Sequence, residues 1–238
     1  MVEIRGLCKE YRGKDVGFPV LSDVTLQVFE GDFLVILGQS GCGKTTLLRL
    51  IGGFLEPDRG EVSLDGEPVR TPSAQMIMVF QSFDQLFPWF TLKENITYAL
   101  KKAKKGRDKS VREETALGYL DMAGLSGFAD SYPHTLSGGM KQRGALARAL
   151  ALEPRVLLMD EPFSSLDYLT RKQAQDALKS LAAANNSTVI LVTHDIEEAL
   201  KLGTRIAVLD RSTHRIEKIY EGGQIGPYLR EELEEALL

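Results

Sequence analysis

The 238-residue chain contains only two cysteines, Cys8 and Cys42, far apart in sequence. That count excludes a disulfide framework and makes a reducing compartment the default. Positive charge is not in excess: 29 Lys and Arg stand against 33 Asp and Glu, for a net charge of -4. No global attraction to nucleic acid is expected, which leaves only local basic patches. Long apolar runs are missing too. FLVIL (Phe33 to Leu37) and VLLM (Val156 to Met159) fall far short of the ~20 residues that a membrane-crossing helix needs. The opening MVEIRGLCKEYRGK has no apolar core of the secretory-leader kind, so no leader is expected and any membrane role falls to a partner. Internal repeats and low-complexity segments are also absent.

What is present is ordinary for a globular α/β protein: 43% hydrophobic and 26% charged residues, over a length that can bury a sizeable core. VEIRGL, VTLQVFE and DFLVILG read as strands. The first two suit an antiparallel layer, whereas the continuous FLVIL suits a strand buried on both faces. A helix is expected from Lys44 to about Gly52, then a hairpin around Asp65-Gly66, then a strand over Met76 to Gln81. From about Phe83 to Gly127 helical patterns take over, with Thr91 and Glu94 forming a capping box. After Leu136 helices and strands alternate. The expected helices are Gly139 to Leu152, Leu169 to Ala184 and Ile196 to Leu202, and the strands are RVLLMD, STVILVTH and RIAVLD. Such alternation implies a parallel sheet flanked by helices. The tail GPYLREELEEALL reads as a short acidic amphipathic helix.

GQSGCGKTT, Gly38 to Thr46, fits the phosphate-loop pattern G-x-x-x-x-G-K-[ST] after a strand and at the start of a helix. Gly38, Gly41 and Gly43 let backbone N–H groups close on phosphates, with Gln39, Ser40 and Cys42 between them. The following helix presents its positive end. Lys44 can reach the β- and γ-phosphates, Thr45 can ligate Mg²⁺, and Thr46 continues the loop into the helix. Cys42 reads as a small side chain tolerated in the loop or as a regulatory thiol. Asp160 closes the apolar strand VLLMD, and ligands bind beyond the carboxyl ends of parallel strands. It is placed to hold Mg²⁺, while the adjacent Glu161 can polarise a water in line with the γ-phosphate.

The phosphate loop, LSGGMKQR, LLMDEP, SSLD and LVTHD follow one another in an order that resembles the nucleotide-binding subunit of ATP-binding cassette transporters over nearly the whole chain. LSGGM is the discriminating piece. The resemblance implies a P-loop α/β fold with a mainly parallel core sheet flanked by helices, an N-terminal antiparallel β subdomain and a helical insertion. The core would occupy about 1–82 and 153–222, the helical subdomain about 83–152 and a C-terminal helix 223–238. It further implies that Tyr11 stacks on adenine, although Tyr11 also reads as an aromatic on an edge strand. Gln81 would contact Mg²⁺ and the attacking water. Ser137, Gly138 and Gly139 would contact the γ-phosphate held by an opposite copy, and Asp167 would cross the dimer interface. His194 would hold the γ-phosphate beside Glu161, an imidazole N–H being a suitable electrostatic stabiliser. Two copies would sandwich two ATP molecules on the cytoplasmic face of a membrane. A permease, and indirectly an extracytoplasmic substrate-binding protein, would complete an importer.

FDQLFPWFTLKENI (Phe83 to Ile96) and DEPFSSLDYLTR (Asp160 to Arg171) are similar to the matching stretches of nitrate, sulfonate and taurine importers. Phe87, Trp89 and Phe90 would pack the helical part and shape the groove for a permease helix. Gly144, inside a helix, either permits a close contact or is tolerated. The basic run KKAKKGRDK reads as a solvated loop rather than a nucleic-acid patch, for want of interleaved aromatics. No large C-terminal regulatory domain is expected. An exporter or lipoprotein-release ATPase would share the same catalytic residues. A non-transport ATPase is disfavoured by the single phosphate loop, and a sensor without turnover by the presence of both Glu161 and His194.

Overall fold

The computed structural model describes residues 1–12, 17–81, 85–226 and 228–237. In chain order the elements are strands β1 (Val2–Arg12), β2 (Gly17–Val28) and β3 (Phe33–Leu37), helix α1 (Lys44–Ile51), strands β4 (Arg59–Leu64), β5 (Glu67–Pro68) and β6 (Met76–Val79), and helices α2 (Leu92–Lys102), α3 (Lys109–Met122) and α4 (Gly138–Ala151). There follow β7 (Val156–Asp160), α5 (Tyr168–Ala184), β8 (Thr188–Thr193), α6 (Ile196–Leu202), β9 (Arg205–Leu209), β10 (Ile216–Glu221) and α7 (Leu229–Ala236). They divide between two compact units: Met1–Ser73, Leu158–Glu161 and Thr188–Leu238 form the first, and Ala74–Leu157 with Pro162–Ser187 the second.

The first unit holds an antiparallel sheet of order β2-β1-β4-β5. Asp65 and Gly66, at φ 51° and 84°, make the tight turn between β4 and β5, as the Asp-Gly pair predicts. Its second sheet runs β10-β9-β3-β8-β7. β3 lies parallel to β8 and β9, with Val35 opposite Leu191 and Ile206. Every residue of β3, β8 and β9 is buried, which is why these strands read as unbroken apolar runs rather than alternating ones. β10 was not expected. It is an antiparallel edge strand that buries only Tyr220, so its IEKIYE carries little apolar signal. Arg205, buried at the edge of this core, is satisfied by Asp32 and Glu221 and stacks over Phe29.

The second unit is mainly helical. Thr91 and Glu94 form the expected capping box at the start of α2. α3 ends at Met122, because Gly124 at φ 65° turns the chain out of the helix. β6 ends at Val79, short of the expected Gln81. The side-chain amide of Gln85 takes both backbone groups of Phe80, accepting from its N–H at 2.9 Å and donating to its carbonyl at 2.8 Å, so no ladder bond remains there. Gly144 answers the question of its helix-interior position: a Cβ there would stand 2.8 Å from Leu92 Cδ2, so glycine lets α4 approach α2. Phe87 packs on Trp89, Phe90 and Tyr98, while Trp89 is two-thirds exposed. Phe83, at the head of that aromatic segment, lies outside the described residues. No helix among the described residues is long and apolar enough to cross a membrane.

Candidate active site

In the first unit the loop from Gly38 to Thr46 joins β3 to α1. Gly41 and Gly43 sit at φ 81° and 106°, backbone that disfavours any side chain. Gly38 is required by space: a Cβ would lie 2.7 Å from both Cys42 Sγ and the Leu209 carbonyl oxygen. At Gly43 the obstacle is the Val20 carbonyl oxygen, at 2.7 Å. The loop is therefore a tight backbone cradle with Ser40 and Gly41 exposed at its tip. Cys42 is wholly buried beneath Gly38, and burial pushes its thiol pKa up against the pull of Lys44. A buried protonated thiol is inert, so the packing reading of Cys42 holds over a redox one. The Gln39 side chain donates to the carbonyl of Leu237, just past α7. Thr46 is half-buried in the first turn of α1.

Lys44 is buried, and its ammonium folds back to donate to the Gly38 and Gln39 carbonyls at 2.8 and 2.9 Å. It also faces a carboxylate oxygen of Glu161 at 3.5 Å. Thr45 Oγ1 donates to Asp160 Oδ1 at 2.9 Å. Asp160 ends β7 and is buried, which raises its carboxyl pKa, and the neighbouring Glu161 adds to the rise while the Thr45 hydrogen bond opposes it. Two oxygen ligands of this kind suit a hard cation that completes its shell with phosphate oxygens and water. No cluster of three or more His, Cys, Asp or Glu suited to a metal occurs among the described residues, so a cation here would need those outside ligands.

Glu161 has φ 42°. A non-glycine residue in that region costs about 1–2 kcal/mol, and the turn directs its side chain off the strand end. Its N–H donates to the Val192 carbonyl at 3.0 Å, which fixes the turn against β8. The carboxylate meets His194 Nδ1 at 3.1 Å. His194 stands between β8 and α6, half-exposed, in a turn held by Thr193: its hydroxyl accepts from Asp195 N and donates to the buried Glu198 carboxylate at 2.8 Å. Asp195 then caps α6 by accepting from the N–H groups of Glu197 and Glu198. These supporting residues escaped the sequence reading, although Asp195 two and three residues ahead of acids is a legible cap. Tyr11, exposed near the end of β1, lies directly opposite Phe18 on β2.

The second unit holds the other expected residues. Gln81, exposed beyond β6, donates to Ser164 Oγ at 3.3 Å. Ser137 is the N-cap of α4 and accepts from Met140 N–H at 3.3 Å. Gly138 and Gly139 open the helix, where N–H groups lack intrahelical partners. Gly139 has a second constraint: its Cβ would fall 1.8 Å from Thr170 Cγ2 on α5. Asp167 caps α5 by accepting from Thr170, and the hydrogen bonds from that residue hold its carboxyl below the ordinary range. Arg143, in the same signature stretch, donates to the Ala123 carbonyl at the end of α3.

Residues 21–164 match the family described as ABC transporter. The chain is 46% identical over 209 residues to the taurine import ATP-binding protein TauB of Yersinia pestis bv. Antiqua, an alignment covering 88% of this chain and 79% of the relative. It is 41% identical over 217 residues to the nitrate import ATP-binding protein NrtD of a Synechocystis species, covering 91% and 80%. Among solved structures it is similar to the post-hydrolysis dimer of the ATP-binding cassette MJ0796 bound to ADP and Pi. The TM-score is 0.80 at 34% identity, with 93% of this chain and 98% of the other covered.

Proposed function

The chain belongs to the ABC transporter family, and on that premise we propose that it is the ATP-hydrolysing subunit of an importer of the taurine and nitrate type. The observation that carries the reading is the convergence of Lys44, the Thr45–Asp160 pair and the Glu161–His194 pair around one glycine cradle. The names of the taurine and nitrate relatives favour import over export.

Lys44 leaves the loop carbonyls for the β- and γ-phosphate oxygens of ATP, which replace one set of acceptors by a charged one. Thr45 and Asp160 would hold Mg²⁺, which when bound neutralises charge on the phosphate oxygens. Glu161 orients the attacking water and accepts its proton, and its φ keeps the carboxylate off the strand end for that purpose. His194 meets Glu161 through Nδ1, and a proton on each ring nitrogen would let Nε2–H donate to the γ-phosphate while Nδ1–H stays on the carboxylate. Ser137, Gly138 and Gly139 present the mouth of α4 to the γ-phosphate held by a second copy, with Asp167 near that interface, a reading supported by the dimeric cassette structures.

The chain works on the cytoplasmic face of a membrane with a permease, served from outside by a substrate-binding protein. The permease helix docks in a cavity of about 480 Å³ in the second unit, lined by Val79, Gln85, Phe87, Tyr98 and Arg148. The helical part, about 83–152, acts as one subdomain. Phosphate release from ATP by the purified chain, with and without magnesium, tests the reading. Turnover independent of the metal, or none even with a permease present, would count against it.

A further inference from the structure

Resting on the reading that a permease helix docks in the second unit, we propose that the basic turn between α2 and α3 binds the anionic lipid headgroups of the membrane that holds the permease. The run Lys101 to Lys109 carries six cations and one acid in nine residues, in a chain whose net charge is -4. It is an ordered turn. Lys104, at φ 56°, and Gly106, at φ 75°, reverse the chain after α2. The N–H of Lys105 donates to the Leu100 carbonyl at 2.9 Å, and Arg112 donates to the Gly106 carbonyl at 3.1 Å. Like charges fixed this closely repel one another, so the fold itself gains nothing from most of them.

Roles within the chain account for only part of the set. Lys101 and Lys102 occupy the last turn of α2, where a cation suits the helix dipole. Lys105 pairs with Glu153 at 2.9 Å and Lys109 with Glu113 at 3.5 Å, and Lys102 also lies over the Tyr98 ring. Among the described residues no carboxylate pairs with Lys101, Lys104 or Arg107, and all three are exposed. An exposed basic loop elsewhere on the surface needs no explanation. This one starts at the rim of the permease cavity: Lys102 and Ala103 line that cavity together with Tyr98 and Arg148. A permease helix seated there brings the membrane surface to the same side, and the turn is the part of the rim that carries uncompensated charge. A cytoplasmic leaflet is negative, and clusters of about four to eight Lys and Arg close to a membrane attachment point complement it. Nucleic acid is the poorer partner, because no aromatic is interleaved with the cations.

Co-sedimentation of the intact chain with vesicles tests this, using phosphatidylcholine alone and phosphatidylcholine mixed in equal parts with phosphatidylglycerol. The chain should bind the mixed vesicles at low salt, leave them as salt rises, and ignore the neutral ones. Each basic side chain near an anionic surface contributes about fivefold to binding. Lys101→Gln, Lys104→Asn and Arg107→Gln together should therefore weaken binding about 100-fold, asparagine being suited to the left-handed backbone at 104. Lys101→Arg with Arg107→Lys should keep it, and Lys172→Gln with Lys179→Gln on α5 should leave it unchanged. Equal binding to both kinds of vesicle, or an equal loss from the α5 pair, would overturn the proposal. A chain that binds single-stranded RNA but not the mixed vesicles would overturn it in favour of a nucleic-acid surface. The triple variant should keep the ATP turnover of its parent; a fall alongside the lost binding would mark the turn as structural and overturn the assignment. No vesicle binding by a chain that still releases phosphate from ATP would overturn the lipid surface and leave the ATPase reading standing.

Discussion

Gly139 belongs to the signature stretch, yet its neighbour within the second unit already restricts it, and the two influences can be separated. Gly139→Ala would put a Cβ 1.8 Å from Thr170 Cγ2. Carbon atoms prefer about 3.5–4.0 Å, so one element must move by roughly 2 Å. Turning Thr170 about χ1 to move that methyl would break its hydroxyl bond to Asp167, whose carboxylate also holds the Thr170 N–H at 3.1 Å. Overpacking of this kind costs about 1–3 kcal/mol, while alanine in place of glycine in a helix returns about 1 kcal/mol. The expected net is a loss of up to about 2 kcal/mol, or up to about 8 °C in melting temperature at this chain length. Thr170→Ser deletes the clashing methyl and leaves Thr170 Cβ as the nearest atom, at 3.3 Å. In that background Gly139→Ala should be neutral or mildly stabilising. A double-mutant cycle by thermal denaturation should therefore give a coupling of roughly 1–2 kcal/mol. Equal destabilisation in both backgrounds would refute the steric account. Turnover of the double variant then reports what the helix mouth does beyond packing.

Lys44→Ala should weaken ATP binding about 10- to 100-fold, the worth of charged hydrogen bonds, and calorimetry showing unchanged affinity would contradict the cradle. Ser137→Arg should abolish turnover while a single chain still binds ATP; loss of binding would mean that the helix mouth serves its own chain. Gly144→Ala should lower the melting temperature despite its better helix propensity, because Leu92, at 1% exposure, has nowhere to move. Asp210 is held at about 2 by the hydroxyl and N–H of Thr213 and the hydroxyl of Ser212. A carboxyl depressed in the fold stabilises above its unfolded value of 3.8 and loses that contribution as pH falls toward 2. Asp210→Asn should flatten acid unfolding across that window, and an unchanged acid limb would argue against the hydrogen-bonded loop.

The features that local chemistry alone dictates were legible in the chain. The capping box of Thr91 and Glu94, the Asp65-Gly66 turn and the buried runs of β3, β8 and β9 each follow from a few consecutive residues. What escaped depends on partners distant in sequence. β10 exists because β9 offers it an edge, and β6 stops at Val79 because Gln85 captures the backbone of Phe80. The requirement for glycine at 139 and 144 is set by Thr170 and Leu92, on other helices. In the candidate site, the phosphate loop and the acids after β7 stand out from their motif alone. The hydrogen bonds around His194, through Thr193, Glu198 and Asp195, depend on how the turn between β8 and α6 folds. Nor is the pairing of Phe18 with Tyr11 legible, because residues 13–16 separate the two strands and only the register puts them opposite.

Light scattering of the Glu161→Gln chain, with and without ATP and magnesium, tests the central claim most directly. Glutamine keeps the shape of the side chain but cannot accept a proton, so phosphate release should fall by roughly 10²–10⁴ while ATP stays bound. The account predicts that adding ATP brings the mass to twice that of one chain. A mass that ATP leaves unchanged, in a variant that binds it and no longer turns it over, would contradict the two-copy site.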